Sequence, residues 1–397
     1  MTLRIAGVID EDPFDPQTWS GLSAYFFGAL RDNGVLRAAV SATPAKRVQR
    51  LYQLLSFQPD KERWKFKYHL NVNYYRRMTQ VARRKLTALG TETFNVILQV
   101  GAWYDMTGFA GKPVVSYHDG NLATLLQSPY GYPRIGAHHI RSTLEYERQL
   151  YKKIRLIFPM SEWLADSFVR DNGVSRQRLF PVGAGINLSH VRSVQNKSYD
   201  APHILFVGRD FERKGGPDLL AAFQKVRAVV KTAELTIVGP KLEDPPPGVR
   251  SIGFLSKTGS AGLDRLLDEY ERASIFVMPS LYEPFGVVFA EAMAHRLPCV
   301  GTNICAMPEI ITHGRTGFLV PPRDPVALAS RILELLDSPD LCREFGNCGY
   351  QRYTDNFTWR AVTKRMLEVI AAELGGGTIG GGTSLPFRGG TGQDLHS

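Results

Sequence analysis

Four cysteines in 397 residues, with no Cys-x-x-Cys pair, argue against a disulfide-built scaffold and against a zinc ribbon. Cys342 and Cys348 have five residues between them, and the nearby histidines are badly spaced for zinc. Cys299, within Leu297-Pro298-Cys299-Val300, reads as a small core residue, and Cys305 completes a set of reduced thiols expected of a cytosolic protein. No run of eighteen apolar residues is present, so no membrane-spanning helix is expected. The opening residues, Met1-Thr2-Leu3-Arg4-Ile5-Ala6-Gly7-Val8, run straight into acidic Asp10-Glu11-Asp12 and do not read as a signal peptide. Two phosphate-binding patterns are also missing. There is no Gly-x-x-x-x-Gly-Lys-Ser/Thr loop, and no Gly-x-Gly-x-x-Gly follows the first strand-like run, which weakens a dehydrogenase reading.

What is present is ordinary for a globular chain, with 44% hydrophobic and 22% charged residues and a length that predicts two or three domains. Apolar runs alternate with helical stretches. In the first half the expected strands are Leu3–Ile9, Val35–Ser41, Phe94–Gly101, Pro113–Tyr117, Leu156–Met160 and Arg178–Val182. Helices are expected over Leu22–Asn33 and from an N-cap at Ser161 through Phe168. A polar link spans 189–202. Beyond it, strands are expected at His203–Gly208, Glu234–Gly239, Val249–Phe254, Ser274–Met278, Val300 and Phe318–Val320. The helices expected there are Gly216–Lys231, Leu263–Arg272, Asp324–Asp337, Leu341–Tyr353 and Trp359–Leu374. Near-continuous apolar strands separated by helices imply parallel sheets covered on both faces. The fold class is therefore α/β, with two doubly wound, Rossmann-like domains over 1–188 and 203–358. The helix 359–374 is expected to pack back on the first domain, and the Gly-rich tail 375–397 to be disordered. Ligands of such sheets bind at the carboxyl ends of strands, and two such edges facing across a cleft would share one site.

The net charge of +10 is concentrated in one place. Residues 45–86 hold Lys46, Arg47, Arg50, Lys61, Arg63, Lys65, Lys67, Arg76, Arg77, Arg83, Arg84 and Lys85 against Asp60 and Glu62 alone. Tyr52, Phe57, Trp64, Phe66, Tyr68, Tyr74 and Tyr75 are interleaved with them. Solvated helix faces are one reading. Docking on an anionic membrane surface, rings among headgroups and cations on phosphates, is the other. No nucleic-acid-binding motif accompanies the charge, so nucleic acid is not an expected partner.

Two stretches could carry chemistry. In Phe206-Val207-Gly208-Arg209-Asp210-Phe211-Glu212-Arg213-Lys214-Gly215-Gly216, a strand ends at Gly208 and two glycines open a helix. Arg209 and Lys214 on that loop suit a diphosphate. In Pro279-Ser280-Leu281-Tyr282-Glu283-Pro284-Phe285-Gly286-Val287-Val288-Phe289-Ala290-Glu291, another strand turns into a helix with two carboxylates eight residues apart. Carboxylates accept from vicinal hydroxyls, and the helix start offers N–H groups to phosphate.

This constellation resembles the retaining glycosyltransferases of family 4, with the GT-B fold. The likeness continues through Leu297-Pro298, Pro308-Glu309, Gly314-x-x-Gly317-Phe318-Leu319-Val320 and Pro322-x-Asp324. More loosely it includes Trp19-Ser20-Gly21 and His118-Asp119 in the first half. The resemblance implies a hexosyltransferase moving sugar from a nucleotide-diphospho sugar, UDP ahead of GDP, to a hydroxyl acceptor, with retention. It also implies roles. Glu283 would bind donor sugar hydroxyls, and Glu291 the ribose. Arg209 and Lys214 would hold the diphosphate, with Gly286 and Val287 assisting from the backbone, and Gly208 and Phe285 complete the donor-binding set. Gly21 would approach the donor phosphate, and His118 would face sugar and acceptor. Neither a metal nor a cofactor is expected. Departures fall near the donor sugar: Ala306-Met307 where Gly-Gly is frequent, His295-Arg296 where a small residue and Gly are usual, and Asn187 where Asp is common. A cytoplasmic protein acting on bacterial cell-surface polysaccharide or glycolipid precursors, peripheral to the inner face of the plasma membrane, is the expected setting. An epimerase or phosphorylase on the same fold, or a non-catalytic membrane-docked scaffold, are the alternatives.

Overall fold

The structure is a computed structural model that describes residues 2–128, 130, 135–192 and 197–375. The expected tail from 376 and part of the link at 193–196 lie outside the described residues. The described chain forms two compact units: residues through Gly183 with the chain from Val362 onward, and Ala184–Ala361.

In the first unit, β1 (Ile5–Ile9) leads through a tight turn to α1 (Leu22–Asp32) and β2 (Leu36–Ser41). Three helices follow where the charge is concentrated: α2 (Lys46–Leu55), α3 (Lys61–His69) and α4 (Val72–Ala88). Then come β3 (Val96–Val100), β4 (Val114–His118), α5 (Leu122–Leu126), α6 (Ala137–Lys153), β5 (Leu156–Pro159) and α7 (Glu162–Asn172). The sheet is parallel throughout, in the order β2-β1-β3-β4-β5. Every residue of β1, β3, β4 and β5 is buried; β1 and β5 are accordingly apolar throughout, while β3 and β4 carry the buried polar residues Gln99, Ser116 and His118. α4 turns Tyr74, Tyr75, Met78, Ala82 and Leu86 into this core at helical spacing.

The second unit contains β6 (His203–Val207), α8 (Gly216–Val229), β7 (Glu234–Val238), β8 (Val249–Gly253), α9 (Ser260–Arg272), β9 (Ile275–Met278) and α10 (Val287–Ala294). It continues with β10 (Cys299–Thr302), α11 (Met307–Ile310), β11 (Gly317–Val320), α12 (Pro325–Leu336) and α13 (Pro339–Asn356); α14 (Trp359–Leu374) ends the described chain. Its six strands are also all parallel, in the order β11-β10-β9-β6-β7-β8. That is the doubly wound order, in which connections leave β6 and β9 in opposite directions and open a crevice at their carboxyl ends.

Two local differences from the expected elements have clear causes. Arg178–Val182 is not a strand: the N–H groups of Phe180 and Val182 bond to Ile157 and Pro159, but pairing reduces to one isolated bridge at Leu179. Pro181, between them, has no N–H to extend a ladder. The helices α5 and α6 carry no strong sequence signal; α6 is anchored by buried Glu147, whose Oε2 accepts from the Leu122 N–H at 3.0 Å. The four cysteines are free thiols.

Candidate functional site

The crevice of the second sheet is built by the loops after β6 and β9. They touch backbone to backbone. At Gly215 (φ 72) any Cβ would lie 1.9 Å from the Pro279 carbonyl oxygen, so only glycine fits this crossing. The close approach delivers Lys214 to Glu283, with Nζ 2.8 Å from Oε2. Gly208 is open enough for the Lys214 stem to pass, since a Cβ there would meet its Cδ at 2.2 Å. Arg213 joins them, 3.5 Å from Glu283, while donating to the Tyr282 carbonyl at 2.5 Å and to Asp210 at 2.9 Å. Burial pushes the Glu283 carboxyl up, but Lys214, Arg213 and the Gly286 N–H together outweigh it and hold it below its usual range. Arg209, on the same loop, is exposed and its guanidinium lies over Phe254, 3.8 Å from the ring centroid. Gly286, in the left-handed region at φ 61, caps α10, so that Val287 opens the helix next to Glu283. The arrangement gathers cations and a helix N-terminus around a fixed carboxylate, a combination suited to a phosphate joined to a hydroxylated group.

Two expected members sit differently. Phe285 is buried against Phe357, with ring centroids 6.3 Å apart, and supports the loop from within. Glu291 is fully buried, and both its oxygens are engaged: Oε1 by Lys257 at 2.5 Å and Oε2 by the Tyr270 hydroxyl at 2.9 Å. Lys257 also donates to Asn187 at 2.6 Å. Arg213, Lys257 and Tyr270 are absent from the sequence-level site. Arg213 could have been flagged as the neighbour of Lys214, whereas the reach of Lys257 across 34 residues leaves no local signal.

In the first unit, the turn before α1 strings together left-handed residues, Trp19 (φ 50), Ser20 (φ 56) and Gly21 (φ 87). Strain of this kind costs on the order of 1–3 kcal/mol for each non-glycine residue and gathers at functional loops. The turn is held by Trp19, whose indole N–H donates to Asp119 at 2.9 Å and whose ring packs edge-on against Tyr117. His118 corrects an expectation. It does not face outward but is 1% exposed, between Tyr151 and Phe168, with Nε2 2.8 Å from the Ser116 hydroxyl. Burial drives its pKa down to about 3, so it stays neutral. The reason is strand alternation: Ser116 and His118 share one face of β4, leaving Asp119 to reach the Trp19 turn. Among the described residues, no group of three or more His, Cys, Asp or Glu side chains is placed to hold a metal ion.

Residues 201–338 match the family described as glycosyl transferases group 1. Curated relatives include glycogen synthase of Mycobacterium tuberculosis, 33% identical over 178 residues, covering 43% of this chain and 43% of that protein. D-inositol 3-phosphate glycosyltransferase of Streptomyces avermitilis is 29% identical over 245 residues, covering 55% of this chain and 52% of that protein. The chain thus spans about half the length of the curated relatives it matches. Among solved structures, sucrose-phosphate synthase of Thermosynechococcus elongatus has TM-score 0.65 at 18% identity, covering 94% of this chain and all of that one. HepE of Anabaena in complex with UDP and glucose has TM-score 0.62 at 13% identity, covering 93% of this chain and all of that one. These likenesses give the fold class as GT-B.

Proposed function

We propose that this chain, in which residues 201–338 carry the pattern of group 1 glycosyl transferases, is a retaining glycosyltransferase that moves a hexose from a nucleotide-diphospho sugar to a hydroxyl. The observation that carries this reading is the cluster of Arg213, Lys214 and Glu283 beside the N-terminus of α10, at the carboxyl edge where the second sheet changes direction. Glu283, kept ionised by its two cations, accepts from hydroxyls of the donor sugar. Lys214, Arg213 and exposed Arg209 neutralise the diphosphate.

The step asks mainly for stabilisation of a departing charge. The bond from the anomeric carbon to the diphosphate oxygen breaks with its electron pair on that oxygen. The acceptor oxygen bonds to the same face of that carbon, and its proton passes to the leaving phosphate. Neither glutamate acts as nucleophile on this reading; the engagement of both Glu291 oxygens and the ion pairs of Glu283 support that. A ribose contact at Glu291 would require Lys257 to give up its place, so Lys257 and Glu291 act as one unit there. UDP is favoured over GDP, and the UDP-bound HepE structure supports the preference.

The proposed acceptor belongs to a cell-surface polysaccharide or glycolipid precursor met at an anionic membrane. Leu51, Leu54, Leu55 and Phe57 support this: they are exposed together at α2 and just beyond it, beside Lys46, Arg47 and Arg50.

The test is turnover of UDP- and GDP-sugars by the parent, Lys214→Ala and Glu283→Gln. Each substitution is expected to lower turnover by roughly 10²–10³-fold, the usual loss when one charge-stabilising group is removed. Undiminished turnover in both variants would sink the assignment.

A further inference from the structure

A cavity of about 410 Å³ lies in the first unit, within the roughly 300–1,000 Å³ of small-ligand pockets. It is lined by Asp10 after β1, Thr43 after β2, Trp103 after β3, and the helices α3 and α4. β1 and β3 are neighbours whose connections leave in opposite directions, so these residues mark the switch point of the first sheet. The floor is rigid: the hydroxyls of Ser41 and Thr43 both donate to the Asp10 carbonyl.

Three chemistries meet on its walls. The first is aromatic. Trp64 is fixed by its indole N–H, which donates to the Gln53 carbonyl at 2.7 Å. Tyr68 lies 4.9 Å from Tyr74 between ring centroids, and Trp103 lies 5.6 Å from His69. The second is acidic: Asp10 and Glu11 line the cavity, and among the described residues neither is in an ion pair. The third is basic: Lys61 and Lys65, one turn apart on α3, line it as well. A bare anion would be repelled by the two carboxylates, and a purely apolar ligand would leave four charged groups unused. A sugar ring uses all three. Its C–H face lies on aromatic rings, its hydroxyls donate to carboxylates, and an anionic substituent meets ammonium groups.

We propose that this cavity binds the acceptor, and that the acceptor is an anionic sugar whose ring carries a phosphate or a carboxylate. The ring packs on Trp64, Tyr68 and Trp103, its hydroxyls donate to Asp10 and Glu11, and its anion sits on Lys61 and Lys65. The assignment as acceptor rests on the glycosyltransferase reading above.

The test is saturation-transfer NMR on the full chain with glucose 6-phosphate, glucuronic acid, methyl glucoside and inorganic phosphate, with UDP as a separate probe. The two anionic sugars are expected to show saturation on their ring protons, and methyl glucoside to bind at least about tenfold more weakly. In the double variant Lys61→Gln/Lys65→Gln, the anionic-sugar response is expected to fall about tenfold, with the UDP response unchanged. Both lysines are exposed, so the fold is not at risk. The stronger of the two anionic sugars identifies the anion. The proposal is overturned by no response to any sugar, by equal responses from parent and double variant, or by full displacement of glucose 6-phosphate by an equal concentration of inorganic phosphate. Loss of UDP binding in the parent would instead strike the glycosyltransferase reading and leave the sugar result to be judged on its own.

Discussion

Asp10 carries a cost that its position explains. Burial first, and the charge of Glu11 second, push its carboxyl up from 3.8 to about 6. An unfolded chain releases that proton near 3.8, the folded one only near 6. Stability therefore falls as pH rises through this window, and the loss persists above it. Asp10→Asn removes the penalty. Urea unfolding of the first unit should show the variant more stable than the parent at pH 8, by up to about 3 kcal/mol, with the gap closing toward pH 4. A constant gap across that range would contradict the shift. The same variant should bind acceptor less well, as expected of a stability cost kept for function. At this scale, what the sequence reveals depends on reach. Lys214 and Glu283 are legible because a glycine-flanked loop and a helix start announce them. Glu291 is legible as a carboxylate but not as the partner of Lys257 and Tyr270, which depends on how α9 and the loop before it pack. His118 looks like a site residue at a strand end, and only the pairing of faces on β4 turns it inward.

At the scale of elements, α2 stands apart: it has no buried residue, and Leu54 and Leu55 are 70% and 66% exposed. Its packing is confined to one side, where half-buried Tyr52 lies against the core with its ring 5.3 Å from Tyr74, so the leucine face gains no packing energy within the unit. Lys46, Arg47 and Arg50 beside this apolar face give it the character of an interfacial helix. Leu54→Ser/Leu55→Ser should change unfolding free energy by less than about 0.5 kcal/mol, because both side chains are already in water. In co-sedimentation, the parent should favour vesicles containing phosphatidylglycerol over neutral ones, and the double variant should lose about tenfold or more of that binding, each leucine being worth about 1.5–3 kcal/mol when fully buried. Equal binding of the parent to both vesicle types would make α2 an ordinary solvated surface. The strands were readable from sequence because burial on both faces leaves continuous apolar runs. The basic segment was readable only as charge. Its cations divide between structure and surface: Arg83 donates to the carbonyls of Asp105 and Thr107, and Lys85 to that of Ser41. Composition cannot make that division, because it depends on which carbonyls the fold leaves unpaired.

For the whole molecule, the alternation of strand and helix made two parallel sheets legible, and each sheet carries its polar cluster at its own switch point. The titrating groups, however, are unevenly shared. In the second unit, burial lowers His295 to about 4 and also lowers His203. Glu291, Lys197 and Arg192 are the charged groups acting on His295, and burial outweighs the favourable pull of Glu291. The unfolded chain takes a proton on each histidine near 6.5 while the folded unit refuses it, so acidification below 6.5 costs stability, about 1.4 kcal/mol per pH unit for His295 until about pH 4. The first unit has the same liability in His118, and in His69 and His139, which burial also lowers, but it holds as well Glu147 and Asp10, raised to about 7 and about 6, chiefly by burial. Those carboxylates take up protons in the folded state before the unfolded one does, so the same acidification returns stability and offsets the histidines. Between pH 7.5 and 5.5 the second unit should therefore lose stability while the first stays nearly level. Calorimetry should show one endotherm moving to lower temperature and separating from the other, a departure from two-state unfolding that two independently cored units allow. His295→Phe, which keeps a ring stacked on Tyr270 without a titrating group, should abolish most of that shift. An unchanged shift in the variant would place the acid sensitivity elsewhere.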